Sequence, residues 1–248
     1  VSGPAREVIR DSNGVRWVLA DDQSVFEDAA FNRSFFPELP LDQHDKTESS
    51  YAMKRGDTTR IAGHYANNLK ILPRDEYRYG YSLWLEKHSG LLLKWELIDR
   101  EQNILARLMF TDVRLGSEVD KSELKPASQL KKFKTVESAL PSGRGKSKEA
   151  PRWQPGSLPP GFELTMHRSL GQQGNGVYEH LVYSDGLAAV SVYIESKPSG
   201  NSPQAGLRKL GTTHAFSRST DDMLITVVGD VPAITVKMIG DGVEIESP

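Results

Sequence analysis

The groups that could do chemistry in this 248-residue chain are few, and the histidines come first: His44, His64, His88, His167, His180 and His214 are scattered along it. A metal site needs imidazoles on one helical turn or in a tight loop, and no two of these have that spacing. Cysteine is absent, which removes disulfides, thiolate ligands and a cysteine nucleophile. Gly143-Arg144-Gly145-Lys146-Ser147 resembles the end of a phosphate-binding loop, but Leu140 stands where its first glycine belongs. Gly171-Gln172-Gln173-Gly174-Asn175-Gly176 misses the dinucleotide spacing and falls between two expected strands, so it reads as a flexible hairpin loop. No Gly-x-Ser-x-Gly elbow occurs. The paired carboxylates Asp21-Asp22 and Asp75-Glu76 lie in expected turns, where solvation explains them more simply than general acid work. Asn32-Arg33-Ser34 matches a glycosylation acceptor, a pattern short enough to arise by chance. The expectation is a protein without catalytic site, metal or cofactor.

One segment is richer in binding chemistry. Pro73-Arg74-Asp75-Glu76-Tyr77-Arg78-Tyr79-Gly80-Tyr81-Ser82-Leu83-Trp84-Leu85 carries three tyrosines and two arginines into a strand. Tyrosine and arginine are enriched where proteins meet partners, because each joins a broad apolar body to a polar tip. The same residues also cover sheet rims, and the sequence leaves both readings open. As a binding surface, Arg74, Tyr77, Arg78, Tyr79 and Tyr81 would face Tyr178, Tyr183 and Tyr193 around the Asp185-Gly186 hairpin and form a cleft for an extended peptide.

The elements that must position these residues are mostly strands. From Ala5 to Gly116 apolar and polar residues alternate in short runs between turn signals, the pattern of an antiparallel sheet. Asn13-Gly14 marks a two-residue hairpin, after which Val15, Trp17 and Leu19 point to one face. Leu83 and Leu85 pair in phase with Leu91, Leu93, Trp95 and Leu97 across His88-Ser89-Gly90, and Leu108 and Phe110 extend the same apolar face. Residues 117–152 differ in kind, with nine Lys or Arg against five Asp or Glu, and their Ser142–Lys148 stretch has nothing apolar to bury. That predicts three regions: a first domain over 1–116, a basic flexible linker over 117–152 and a second domain over 153–248. In the last, strands are expected near Glu163–Ser169, Tyr178–Ser184, Leu187–Glu195, Leu207–Phe216 and Met223–Val228. Asp230 is expected to cap a helix beginning near Pro232, with Ile234, Met238 and Ile239 on its buried face and Gly240 or Gly242 at its end.

Whole-chain numbers exclude some classes. With 31 Lys plus Arg against 33 Asp plus Glu the net charge is −2, so no overall field draws the chain to nucleic acid, which is not an expected partner. No apolar run approaches the roughly 18 residues of a membrane-spanning helix. Val1-Ser2-Gly3-Pro4 carries neither initiator Met nor signal peptide, so the chain is expected to be a fragment of a longer precursor.

The 73–85 segment, with Arg60-Ile61-Ala62-Gly63-His64 before it and Ser89-Gly90-Leu91-Leu92-Leu93-Lys94 after it, resembles the signature of the MucB/RseB family of periplasmic regulators. Trp153, Leu158-Pro159-Pro160-Gly161-Phe162, Tyr183-Ser184-Asp185-Gly186-Leu187 and Val228-Gly229-Asp230-Val231-Pro232 resemble that family's second domain, in the same order. The resemblance implies a mainly β, α+β protein. Its N-terminal part would be an unclosed antiparallel β half-barrel like the lipoprotein carriers LolA and LolB; its smaller C-terminal domain would be an antiparallel sheet with one helix. On that resemblance the chain is expected to lack the family's opening helix and first strands. The implied function is inhibitory binding in the periplasm. The protein would hold the periplasmic part of a MucA/RseA-like anti-sigma factor, shield it from site-one protease, and release it when lipid or lipopolysaccharide binds.

Within that frame Trp17, Leu83, Leu85, Leu91, Leu93, Trp95, Leu97, Leu108 and Phe110 become candidates to line an acyl-chain cavity, although periodicity alone would equally make them core. Lys131, Lys132 and Lys134 around Phe133 are candidates for lipid phosphate, against the simpler reading that a linker needs charge to stay solvated. A periplasmic lipid or lipoprotein carrier remains the competing function. A homodimer also stays open.

Overall fold

Alternation of apolar and polar residues without helical periodicity produces a mainly β molecule. The computed structural model describes residues 6–11, 14–19, 24–28, 48–116, 119–120, 122, 124–125, 134–137, 150–170, 178–197, 205–220 and 222–245. In chain order the first strands are β1 (Arg6–Asp11), β2 (Gly14–Leu19), β3 (Ser24–Asp28), β4 (Tyr51–Ile61), β5 (His64–Pro73), β6 (Gly80–Glu86), β7 (Leu92–Ile98), β8 (Ile104–Met109) and β9 (Lys134–Glu137). There follow β10 (Trp153–Pro155), β11 (Glu163–Leu170), β12 (Tyr178–Ser184), β13 (Ala189–Ser196), β14 (Gly206–Leu210), β15 (Thr213–Ser219), β16 (Met223–Gly229), helix α1 (Ala233–Gly242) and β17 (Val243–Ile245). No helix among the described residues is long and apolar enough to cross a membrane.

Two compact units divide the chain, one drawing on residues 1–36 and 114–144 and the other on 37–113 and 145–248. In the first, the sheet order is β1-β2-β3-β9, and β9 joins β3 in parallel with Lys134 opposite Ser24. The expected β1–β2 hairpin is present, but Asp11 pairs with Gly14, so Gly14 opens β2 and is not part of the turn as Asn13-Gly14 implied. Its faces are less one-sided than the alternation suggests. Ile9 and Val18 are buried on one face and Val15 on the other.

The second unit holds two larger sheets. Strands β4 to β8 follow one another as an antiparallel meander. The β4–β5 turn puts Ala62 at φ 48° and Gly63 at φ 84°, the left-handed pair that a tight hairpin demands. Cross-strand register sets Leu69, Leu83, Trp95 and Leu108 side by side in one row, with Ile71, Tyr81, Leu97 and Ala106 beside it on the same face. A bulge between Trp84 and Leu85 then breaks the phase expected across the β6–β7 turn: Leu85 lies opposite Leu92, not Leu93. Leu93 instead packs with Ile61 and Ala66, joined by Trp84 and Phe110. An inserted residue reverses facing beyond it, so the single apolar stripe read from alternation becomes two clusters.

The same turn is fastened by Glu86, whose carboxylate accepts the amides of His88 (2.9 Å) and Ser89 (2.6 Å) and the Ser89 hydroxyl (2.7 Å). Those hydrogen bonds hold its pKa down to about 2, against an ordinary 4.5. A depressed carboxylate stabilises the fold above its unfolded value and loses that contribution as pH falls from 4.5 towards 2. Glu86→Gln is therefore expected to unfold at lower urea than the parent at pH 7. The two midpoints should converge across the acid window, and a gap independent of pH would contradict this account.

The C-terminal sheet has the order β11-β12-β13-β16-β15-β14. One expected strand, Leu207–Phe216, is two: Gly211 at φ 61° turns the chain between β14 and β15. The core joins Leu181, Tyr183, Val190, Val192, Ile194, Phe216, Ile225 and Val227 from the sheet to Val236 and Ile239 of α1. The helix lies where its sequence signals put it, but its buried face is Thr235, Val236, Ile239 and Gly240, and Ile234 is exposed. Asp230 makes no cap either; its carboxylate accepts the hydroxyls of Thr212 (3.0 Å) and Thr213 (2.6 Å). Gly240 explains the rotation. A Cβ there would run into the Phe216 ring, so this glycine is where helix and sheet come closest. Gly240→Ala is expected to cost about 1–3 kcal/mol by overpacking, read as a lowered denaturation midpoint.

Candidate functional site

The tyrosine and arginine segment occupies the β5–β6 loop and the start of β6. Asp75 shapes it by accepting the Tyr77 amide at 3.0 Å, a local turn that competes with continued pairing. Gly80 then lets β6 approach β5, since a Cβ there would sit 2.9 Å from the Ile71 carbonyl. Between these, the Arg78 side chain is turned inward and has no exposed surface.

Arg78 meets the turn after β12. Its guanidinium donates to Asp185 at 2.5 Å, to the Pro160 carbonyl at 2.5 Å, and to Asp75 through Nε at 3.0 Å. The Tyr51 and Phe162 rings lie 5.4 Å and 5.2 Å from it. Burial works against its charge, but the hydrogen bond to Asp75 and the field of Asp185 outweigh that and raise its pKa. Asp185 is equally well used: Oδ2 also accepts the Tyr51 hydroxyl at 2.9 Å, and Oδ1 accepts the amides of Leu187 (2.9 Å) and Ala188 (2.7 Å). The result is a buried ion pair with its remaining polar valences satisfied.

Further bonds surround it. The Tyr81 hydroxyl donates to the Leu187 carbonyl at 3.3 Å, and Thr235 donates to the Tyr77 carbonyl at 2.6 Å. His214 Nδ1 lies 2.8 Å from the Val231 carbonyl, which can only accept, so that nitrogen carries the proton; the Tyr79 hydroxyl stands 3.5 Å away as a second acceptor. Burial, reinforced by Asp185, pushes the Tyr51 and Tyr81 hydroxyls above the ordinary tyrosine range.

The structure thus brings Arg78 and Tyr81 to the Asp185 turn, and Tyr79 to His214. What lies between is a filled polar joint and not an open cleft: the groups that would bind a peptide backbone bind each other. Arg74 remains at the rim, with Nε 3.0 Å from the Glu48 carbonyl, and Tyr77 is half-buried. Tyr183 belongs to the C-terminal core, where burial raises its pKa to about 12. Tyr193 faces the opposite side of that sheet, stacked on His180 with ring centroids 4.3 Å apart. The Tyr178 side chain lies outside the described residues. Sequence reading missed Tyr51, Asp75, Pro160 and Phe162 as parts of the joint. Arg78 and Tyr81 carried a signal for a binding surface, and Asp75 and Asp185 one for a turn.

The apolar candidates divide. Leu83, Trp95 and Leu108 share one row and Leu97 the next, with the Trp95 ring 6.3 Å from that of Tyr81. Leu83 and Leu97 are buried and Leu108 is exposed. The Trp95 indole N–H is buried without a hydrogen-bond partner among the described residues, a donor with unused capacity on an apolar face. Leu85 is half-buried beyond the bulge and Leu91 is exposed in the turn. Leu93 and Phe110 sit in the second cluster. Trp17 lies in β2 opposite Phe26, with its side chain outside the described residues. Lys131 and Lys132 also lie outside them, as does the side chain of Lys134. Among the described residues no group of three or more His, Cys, Asp or Glu could hold a metal.

Comparison with known proteins agrees with this architecture. Residues 1–128 match the family model described as the MucB/RseB N-terminal domain, and residues 147–244 that of the MucB/RseB C-terminal domain. The sigma-E factor regulatory protein RseB of Haemophilus influenzae is 26% identical over 246 residues, 96% of this chain and 74% of that protein. The sigma factor AlgU regulatory protein MucB of Pseudomonas aeruginosa is 30% identical over 210 residues, 81% of this chain and 63% of that protein. Among solved structures, the Pseudomonas aeruginosa MucA/MucB complex gives a TM-score of 0.69 at 27% identity, covering 100% of this chain and 82% of the other. The crystal structure of MucB gives 0.57 at 27% identity, covering 99% and 80%.

Proposed function

Because the chain belongs to the MucB/RseB family, whose relatives are sigma-factor regulatory proteins, we propose that it binds the periplasmic domain of a MucA/RseA-like anti-sigma factor and shields it from site-one protease. The envelope-stress sigma factor then stays off until lipid or lipopolysaccharide releases the complex. The observation that carries this reading is that both family domains match in order over nearly the whole chain, together with the likeness to MucB solved with MucA. The protein acts in the periplasm, as a binding regulator and not as an enzyme. Residues 1–116 serve as the LolA-like half-barrel, 117–152 as a basic linker that also lends β9 to the first sheet, and 153–248 as the α+β domain.

The β4–β8 sheet supplies a lipid-responsive face. Exposed Leu108 and half-buried Leu85 and Trp95 offer apolar surface over the buried Leu83 and Leu97, and the Trp95 N–H, without a partner among the described residues, offers a donor to an ester or amide carbonyl. Each methylene buried there is worth about 0.8 kcal/mol, so part of one acyl chain can compete with a protein ligand. Lys131, Lys132 and Lys134 attract the lipid phosphates. Arg74 and Tyr77 at the rim meet the partner, while Arg78, Tyr79 and Tyr81 hold the surface in place; Tyr178, Tyr183 and Tyr193 remain candidates for the partner surface by their sequence alone.

The test is a fluorescence anisotropy titration of the labelled periplasmic segment of the cognate anti-sigma factor, repeated with a lipid-A-type ligand. Binding that lipid weakens is the expected result. No binding in either condition by the folded protein would favour the lipid-carrier function instead. Replacing Lys131, Lys132 and Lys134 by Gln should weaken lipopolysaccharide binding and flatten its salt dependence.

A further inference from the structure

The opposite face of the β4–β8 sheet carries a row of cations that the regulatory reading does not use. Register places Lys54, Lys70, Ser82, Glu96 and Arg107 side by side, one from each strand. Beside them lie Trp84 and Lys94, with the Lys94 ammonium 3.8 Å from the Trp84 ring centroid. Glu96 is the only carboxylate in the row, and it is buried between Lys94 (2.9 Å) and Arg107 (2.7 Å). Four cations against one anion make a positive surface on a chain whose net charge is −2.

The Lys54–Lys70 pair is the informative part. Like charges directly opposite across antiparallel strands destabilise a sheet. Among the described residues Lys54 has no partner, and Lys70 reaches only the Gln102 side-chain oxygen at 3.1 Å. Arg107 spends Nε on Glu96, and its two terminal nitrogens bind nothing else among the described residues. Cations held apart at a cost to folding, with donors left over, suit an anionic partner.

From this arrangement we infer that the Lys54–Lys70–Arg107 row docks an acidic polypeptide segment in extended conformation. Spacing favours a chain over a compact anion. Lys70 and Arg107 are three strand intervals apart, about 14 Å at ~4.8 Å each, which matches carboxylates four residues apart on an extended strand at ~3.4 Å per residue. Glu96, set between them, repels a single multivalent group such as a phosphate but leaves room for separated carboxylates on either side. Exposed Met109 and half-buried Trp84 in the adjoining row offer apolar contact for the intervening side chains. The inference goes beyond the regulatory reading, because a generic acidic peptide tests it without the anti-sigma factor.

The probe is a fluorescein-labelled decapeptide of alternating Glu and Ala, titrated by anisotropy against the full chain at low and high NaCl. Binding that screens with salt is expected, with about a tenfold loss in the Lys54→Gln/Lys70→Gln double variant, in line with exposed pairs acting together. Lys54→Glu should also weaken binding while raising the melting temperature, because it converts the repulsive cross-strand pair into an attractive one. That opposite movement separates a lost docking surface from a damaged fold. Unchanged affinity in either variant overturns the inference, as does binding of phosphatidylglycerol vesicles by the parent in place of the peptide.

Discussion

Arg78→Met is expected to destabilise the protein by about 3–5 kcal/mol, the usual cost of breaking a buried ion pair from one side. Methionine fills much of the space between the Tyr51 and Phe162 rings but leaves Asp185 charged and buried, with only the Tyr51 hydroxyl and two turn amides to hold it. The Pro160 carbonyl loses its donor as well. Urea unfolding supplies the free energy, and hydrogen exchange at the Leu187 and Ala188 amides supplies the location, since the turn should open first. Asp185→Asn removes the stranded charge while keeping a side-chain oxygen for those amides. The double variant Arg78→Met/Asp185→Asn should therefore recover part of the loss, and a double-mutant cycle would give a favourable coupling between the two positions. A loss below about 1 kcal/mol in Arg78→Met would mean that the pair does not hold the joint.

At the alkaline end the protein should lose stability steeply above pH 10, earlier than its net charge alone would bring about. Burial raises the Tyr51, Tyr81 and Tyr183 hydroxyls above the ordinary value of 10.0, and Tyr183 reaches about 12. For an acid whose folded pKa is raised, the native state binds more protons than the unfolded chain once pH passes the unfolded value. The slope of unfolding free energy with pH is then negative, and stability falls from pH 10 through about 12. Tyr51 and Tyr81 add to the effect because ionisation would set a phenolate near Asp185. The measurement is urea unfolding at intervals from pH 8 to 12, with tyrosinate absorbance near 295 nm followed in parallel. Parent protein should unfold before its buried phenols ionise. Tyr51→Phe removes one titrating group and should flatten the slope; an unaltered slope would show that Tyr51 does not couple to folding.

Much of the strand order was legible because hairpin signals act over two residues. Asp185-Gly186 turns the chain where its sequence implies, the Asn13-Gly14 signal marks a real hairpin although Gly14 already belongs to β2, and the meander from β6 to β8 follows the alternating leucines. Leu210-Gly211-Thr212 was passed over because Leu207–Phe216 reads as one long strand when only alternation is counted. The helix was found by Pro232 and its glycines, and Ile239 is buried as expected, but Ile234 is exposed. Hydrophobicity pointed to Ile234, whereas the close approach of Gly240 to Phe216 turned Thr235 and Val236 inward. The bulge at Trp84 had no sequence marker, since an inserted residue leaves composition unchanged and shifts only pairing.

By itself, the sequence determined the β character, the hairpins, the helix position and the ordered blocks that identify the family, because these depend on neighbouring residues and their backbone preferences. Tertiary structure alone decided what the singled-out side chains do. Arg78 and Asp185 are 107 residues apart, and neither their spacing nor their types distinguish a buried joint from an exposed binding surface. Lys54, Lys70, Glu96 and Arg107 form a row only because four strand registers align them. Contacts between distant segments are set by packing of the whole sheet, and no local pattern records them.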